Sequence, residues 1–250
     1  MNAALKAYFV LDFNLVFRER MVLFFTFLLP AFMYAFFGMM FGDASYGGGA
    51  VSFYDEYTAS FIGLILLNVA LMNVGPVLVI YKEMGFFRRL LVTPLDMSAV
   101  WLSAITRSFV IFMIGFVEMV IVGWLMFHQL PQTSLVELFT AILVSAFSLF
   151  SFGFMLGAFF KSSNAAFNAG IFIFQPMLLL SGASIPLDRF PPFVTQLAQV
   201  VPMTHVVDVL RLAWRGEYFS PAGLTPTVLL LLLGTACALV ARRAFRWSSM

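Results

Sequence analysis

Apolar residues in this chain run in long stretches, broken by short polar segments. Six stretches reach or approach the length of a membrane-crossing helix. Such a helix takes about 20 apolar residues, at about 1.5 Å each across a hydrocarbon slab about 30 Å thick. The six are Met21–Phe41, with Pro30 as the site of a kink, then Tyr57–Ile80, Val100–Phe127, Leu138–Phe160, Ala169–Gly182 and Thr225–Ala241. The third is long enough to tilt or to extend into water. The fifth is short and carries Pro176 in its middle. Helices are predicted because a bilayer offers backbone groups no hydrogen-bond partner. The expected fold is therefore an all-α membrane protein with six transmembrane helices in a single domain over 1–250.

Three segments depart from this pattern. Residues 1–20 hold only a short apolar run, Ala7–Leu11, broken by Asp12 and followed by Arg18, Glu19 and Arg20. They read as an amphipathic, interfacial N-terminal helix and not as a cleavable signal. Residues 81–96 concentrate charge between two spans. Residues 183–224 are too apolar for a free loop, and Pro186, Pro191, Pro192, Pro202 and Pro221 divide them too finely for a span. Short helices are expected at Phe193–Val201 and Thr204–Trp214, in a re-entrant hairpin at the outer leaflet packed against protein.

Composition agrees with a bilayer environment. The chain is 62% hydrophobic and 10% charged, against roughly 45–50% and about 25% in soluble domains. A net charge of +2 argues against a nucleic-acid partner. With both termini cytoplasmic, ten Lys and Arg fall in inner segments and three in outer ones, the arrangement the positive-inside rule selects. The single cysteine, Cys237, rules out an intrachain disulfide and reads as a packed small residue.

The charged connection reads YKEMGFFRRLLVTPL, Tyr81 to Leu95. On a helical wheel over Lys82–Val92, Met84, Phe86, Phe87, Leu90 and Leu91 share one arc, with Lys82, Gly85, Arg88 and Arg89 opposite. That pattern predicts an amphipathic helix lying at a membrane surface, ended by Thr93-Pro94. Glu83 falls on the apolar arc, so it requires a partner: an arginine, a helix end or another protein. As topology anchors, Arg88 and Arg89 need no further role.

Glu83, Gly85, Arg88, Arg89, Leu90, Leu91, Thr93, Pro94 and Leu95 together resemble the coupling helix of bacterial ATP-binding-cassette exporter permeases of the type-two class, which export drugs, polysaccharides and lipids. The outer segment resembles that family's closing pattern, in Ser181-Gly182, Pro186-Leu187, Phe190-Pro191, Pro202-Met203-Thr204 and Asp208 with Arg211. The resemblance implies a half-transporter in the bacterial inner membrane. A second permease copy and two ATPase subunits would be its partners, with ATP and magnesium bound by the ATPase. Segment 1–20 and the 81–96 helix would form the docking surface, and the cargo would be hydrophobic or amphipathic.

The sequence carries no chemistry of its own. Gly-Lys is absent, which excludes a phosphate-binding loop, and neither His-Glu-x-x-His nor Gly-x-Ser-x-Gly occurs. No catalytic or metal site is expected. Intramembrane polar groups are the remaining candidates. Glu118, mid-span, reads as a pathway or interface residue, or as a structural or protonated carboxyl. Arg107 is expected to snorkel toward the inner headgroups. In the resembling family spans two and five line the central interface, so Asn68, Asn73 and Gln175 are pathway candidates, with helix–helix hydrogen bonding as the alternative use. Asp208 and Arg211, at i and i+3, are expected to pair and brace the outer hairpin. Two other functions fit the composition: an ion-coupled carrier using Glu118, and a membrane assembly scaffold.

Overall fold

The computed structural model describes residues 24–41, 53–86, 97–128, 130–131, 133–184, 187 and 190–244. Its regular elements are all helical. A π-helical turn at Phe24–Leu28 leads into α1, Leu29–Phe41. Then come α2, Phe53–Glu83; α3, Met97–Phe127; α4, Leu135–Phe159; and α5, Ser163–Leu180. The short α6, Pro192–Ala198, and α7, Pro202–Trp214, precede the final α8, Pro221–Ala244. Five of these, α2, α3 from Leu102, α4, α5 and α8, are long and apolar enough to cross a bilayer, and Thr26–Met40 is a shorter apolar helix. Five of the six expected spans, the second to the sixth, appear in order as such helices with shifted ends, and the described part of the first is the shorter Thr26–Met40. The N-terminal segment 1–20 lies outside the described residues.

The second span is the hub of the bundle. Most residues of α2 are buried, whereas only a minority are in α3, α5 and α8. Between Val69 and Val74 its turns widen to π-helical spacing. Around that wider turn the neighbouring helices carry glycine where they touch it. Gly153 of α4 comes so close that a Cβ would sit 2.3 Å from the Ala70 carbonyl oxygen. A Cβ on Gly157 would lie 2.7 Å from the Gly75 oxygen, and one on Gly170 of α5 would lie 2.9 Å from the Leu71 oxygen. Gly153-x-x-x-Gly157 is the small-residue spacing by which helix backbones approach in lipid, where van der Waals contact replaces the hydrophobic drive to associate.

The other helices assemble around this pair. Gly234 of α8 sits against the ring of Phe147 on α4. Gly115 of α3 lies against Ile65 of α2, and Gly63 of α2 faces Met203, Val206 and Leu210 of α7. Proline explains the break before α7. Pro192 and Pro202 each occupy the first helical position, where a missing N–H costs nothing. The two short helices meet at 83°, and α7 packs its apolar side on α2, with Trp214 buried against Tyr54 at a ring separation of 5.7 Å.

Candidate functional site

The functional candidates gather at the two ends of α2. At the end that leads into loop 81–96, two adjacent residues of opposite charge grip two other helices. Lys82 Nζ donates to the carbonyl oxygens of Gly157 at 2.6 Å and Ala158 at 3.1 Å, in the last turn of α4. Glu83 Oε1 accepts from the Ser163 N–H at 3.0 Å, the first residue of α5. Unpaired carbonyls at a helix C-terminus attract a cation, and unpaired N–H groups at an N-terminus attract an anion. The Lys82-Glu83 pair thus satisfies both sides of the connection between α4 and α5. The partner that Glu83, an exposed residue, finds is a helix end.

The helix breaks immediately afterwards. Gly85 has φ +62°, in the left-handed region, and its N–H bonds the Lys82 carbonyl at 3.0 Å. A Cβ there would meet nothing within 4 Å, so glycine serves the backbone angle and not the space. Lys82–Val92 is therefore not one continuous helix, and the wheel that put Glu83 on an apolar arc does not apply across the break. The Phe86 ring rests on Tyr81 at 5.0 Å. Arg88, Arg89, Thr93 and Pro94 lie outside the described residues. Arg107 does not snorkel. It is 2% exposed, and its Nη1 donates to Tyr81 Oη at 3.2 Å, which ties α3 to this end of α2.

At the opposite end, Arg211 of α7 joins three segments. Its Nη1 forms a salt bridge to Glu56 Oε1 at 2.9 Å. Its Nε reaches the Glu56 carbonyl and Ser60 Oγ, each at 3.1 Å, and its Nη2 reaches the Gly182 carbonyl at 2.8 Å. Arg215 holds the other Glu56 oxygen. Arg211 therefore pairs with Glu56 of α2 and not with Asp208, whose carboxylate lies near enough to attract it without bonding. Gly182 offers its carbonyl from a left-handed turn, φ +73°. A second tie is Glu137, whose backbone N–H donates to the Ser134 cap of α4 at 3.2 Å and whose Oε2 accepts the Tyr218 N–H at 3.1 Å. These contacts fasten the segment between α5 and α8 to the rest of the bundle.

The intramembrane candidates do not form one cluster. Asn73 is buried inside the π-helical turn, Asn68 is half-buried one turn before it, and Gln175 is exposed on α5. Glu118 is half-buried on α3, with Oε2 shut off from solvent and no hydrogen-bond partner among the described residues. No group of three or more His, Cys, Asp or Glu able to hold a metal occurs among the described residues. Sequence reasoning missed the roles of Lys82, Glu56 and Glu137, whose partners lie 75 or more residues away in the chain. It also missed Gly153-x-x-x-Gly157, a pattern that was legible.

Comparison with known proteins places this architecture. Over 133 residues, 52% of the chain, it is 25% identical to "Probable multidrug ABC transporter permease YbhR" of Escherichia coli K12, covering 35% of that protein. Over 209 residues, 82% of the chain, it is 23% identical to "Inner membrane transport permease YhhJ" of the same organism, covering 52% of it. The chain thus spans about half the length, or less, of these curated relatives. The ABC-2 type transporter family model matches residues 3–214, from the N-terminal segment through Trp214 at the end of α7, and the chain belongs to that family.

Proposed function

We propose that the chain is the permease subunit of an exporter in the bacterial inner membrane, driven by a separate ATPase. Family membership supports this reading, and the observation that carries it is the Lys82-Glu83 grip. It roots loop 81–96 in α4 and α5, so a push on that loop reaches three helices together. Two ATPase subunits, binding ATP and magnesium, would dock on loop 81–96 and segment 1–20 of two paired permease chains. Their closure would rock the bundle about the central α2 and expose a path alternately to each side. The cargo would be hydrophobic or amphipathic: a drug, an antibiotic or a lipid-linked glycan. Both termini would be cytoplasmic, which puts the Arg211 cluster at the outer face.

The test is co-purification of the chain with its ATPase. Arg88→Glu together with Arg89→Glu is expected to abolish assembly and transport-linked ATP turnover. Unchanged assembly and turnover would remove the docking role of loop 81–96. Transport by the reconstituted chain alone, driven by a proton gradient and lost in Glu118→Gln, would replace the ATP-driven reading with the ion-coupled one.

A further inference from the structure

The face that α3, α4 and α8 line together plays no part in the two sites above. A cavity of about 480 Å³ opens there, within the size range of ligand pockets. Its walls include the rings of Phe109, Phe147, Phe150 and Phe154, and two small residues of α8, Ala238 and Ala241, make the room between them. Arg242 stands at one end, two residues before α8 finishes at Ala244. Along α4 the lining runs from Leu143 to Phe154, about 16 Å of helix. Half of a hydrocarbon slab about 30 Å thick is about 15 Å. The groove is therefore about as long as one leaflet is thick, with its cation toward the end of α8.

We infer that this groove binds an anionic phospholipid of the bilayer, an acyl chain among the phenylalanines and the phosphate on Arg242. Among the described residues the lining contains no carboxylate to oppose an anion, and Ser151 is its only other polar side chain. Basic pockets between transmembrane helices at the cytoplasmic side select acidic headgroups. A bilayer lipid fits better than cargo, because no lining residue of α4 lies beyond Leu143 toward the opposite leaflet, so the groove offers no way across. The inference rests on the proposed orientation, with the Arg242 end of α8 cytoplasmic, and on the bundle spanning a membrane. It does not require an ATPase.

The experiment is native mass spectrometry of the full chain, extracted from nanodiscs of equal phosphatidylglycerol and phosphatidylcholine. One retained phosphatidylglycerol per chain is expected, with a preference of about tenfold over phosphatidylcholine. Arg242→Gln should remove the preference, and Ala238→Trp, which fills the groove, should remove retained lipid of both kinds. Arg243→Gln is the control, an exposed residue one position along and outside the lining, and should leave retention unchanged. Equal retention in Arg242→Gln, or equal loss in Arg243→Gln, overturns the site in favour of general surface charge. Should Ala238→Trp fail to fold, the two exposed arginine variants still decide. In the complex with the ATPase, retained lipid should survive ATP turnover; release on turnover would make the occupant cargo and overturn the assignment.

Discussion

Replacing Arg211 with methionine tests how the segment between α5 and α8 is held. The substitution keeps a long side chain and removes a guanidinium whose side chain is 15% exposed. The losses differ in kind. The Glu56 carbonyl still accepts from Ser60 Oγ at 2.9 Å, so it is not orphaned. Glu56 keeps Arg215 on its second oxygen, so its charge retains a partner. The Gly182 carbonyl loses its donor at 2.8 Å. Neither Arg211 nor Glu56 is fully buried and Glu56 keeps Arg215, so the larger penalty for stranding a buried charge does not apply. The loss is that of hydrogen bonds to a charged group, about 1.5–3 kcal/mol each, with the Gly182 carbonyl left without its donor, or about 3 kcal/mol in all. For a chain of this size that corresponds to a fall in Tm of about 6–12 °C. Arg215→Gln removes a side chain 35% exposed to solvent and should cost about 1 kcal/mol or less. The assay is thermal unfolding in detergent, followed by tryptophan emission. Trp214 is 1% exposed and packs on Tyr54, two residues from Glu56, so its environment changes as α7 leaves α2. A double-mutant cycle of Arg211→Met with Glu56→Gln should show a smaller loss than the sum of the two singles. If Arg211→Met costs no more than Arg215→Gln, the three-segment tie is not what holds α7 in place.

Two further outcomes follow from the packing around α2. Lys82→Met and Glu83→Gln should leave the ATPase bound to the chain while lowering ATP turnover stimulated by cargo, because docking and transmission reside in different residues; measuring assembly and stimulated turnover in parallel separates them, and loss of assembly in either variant refutes the division. Among the glycines of the helix contacts, alanine should be worst at Gly153, less severe at Gly157 and mildest at Gly75, following built Cβ distances of 2.3, 2.7 and 3.0 Å to backbone oxygens. Overpacking typically costs about 1–3 kcal/mol, so the Tm order of the three variants is the readout, and a reversed order would mean that α4 can slide along α2.

What the sequence made legible, and what it left hidden, divides by distance along the chain. Long apolar runs depend only on neighbours, so the spans and the proline-broken segment near the end could be read directly. Boundaries were misjudged wherever a remote residue makes them. The fifth span is the clearest instance. The apolar run put its start at Ala169, yet α5 begins at Ser163, whose N–H is accepted by Glu83, 80 residues earlier. Glu83 itself was singled out for the wrong geometric reason. The wheel assumed a helix continuing through Gly85, and a left-handed glycine ends it there. The ground for requiring a partner went with that error, because Glu83 is exposed and water would solvate a lone carboxylate there; its bond to Ser163 joins a helix end and does not rescue a buried charge. Arg211 shows the same limit. Local spacing offered Asp208, whereas the fold supplies Glu56, whose second oxygen also holds Arg215. In a chain with so few charges, each one is a demand the sequence states plainly. The helix end or counter-charge that meets it is a property of the packed bundle.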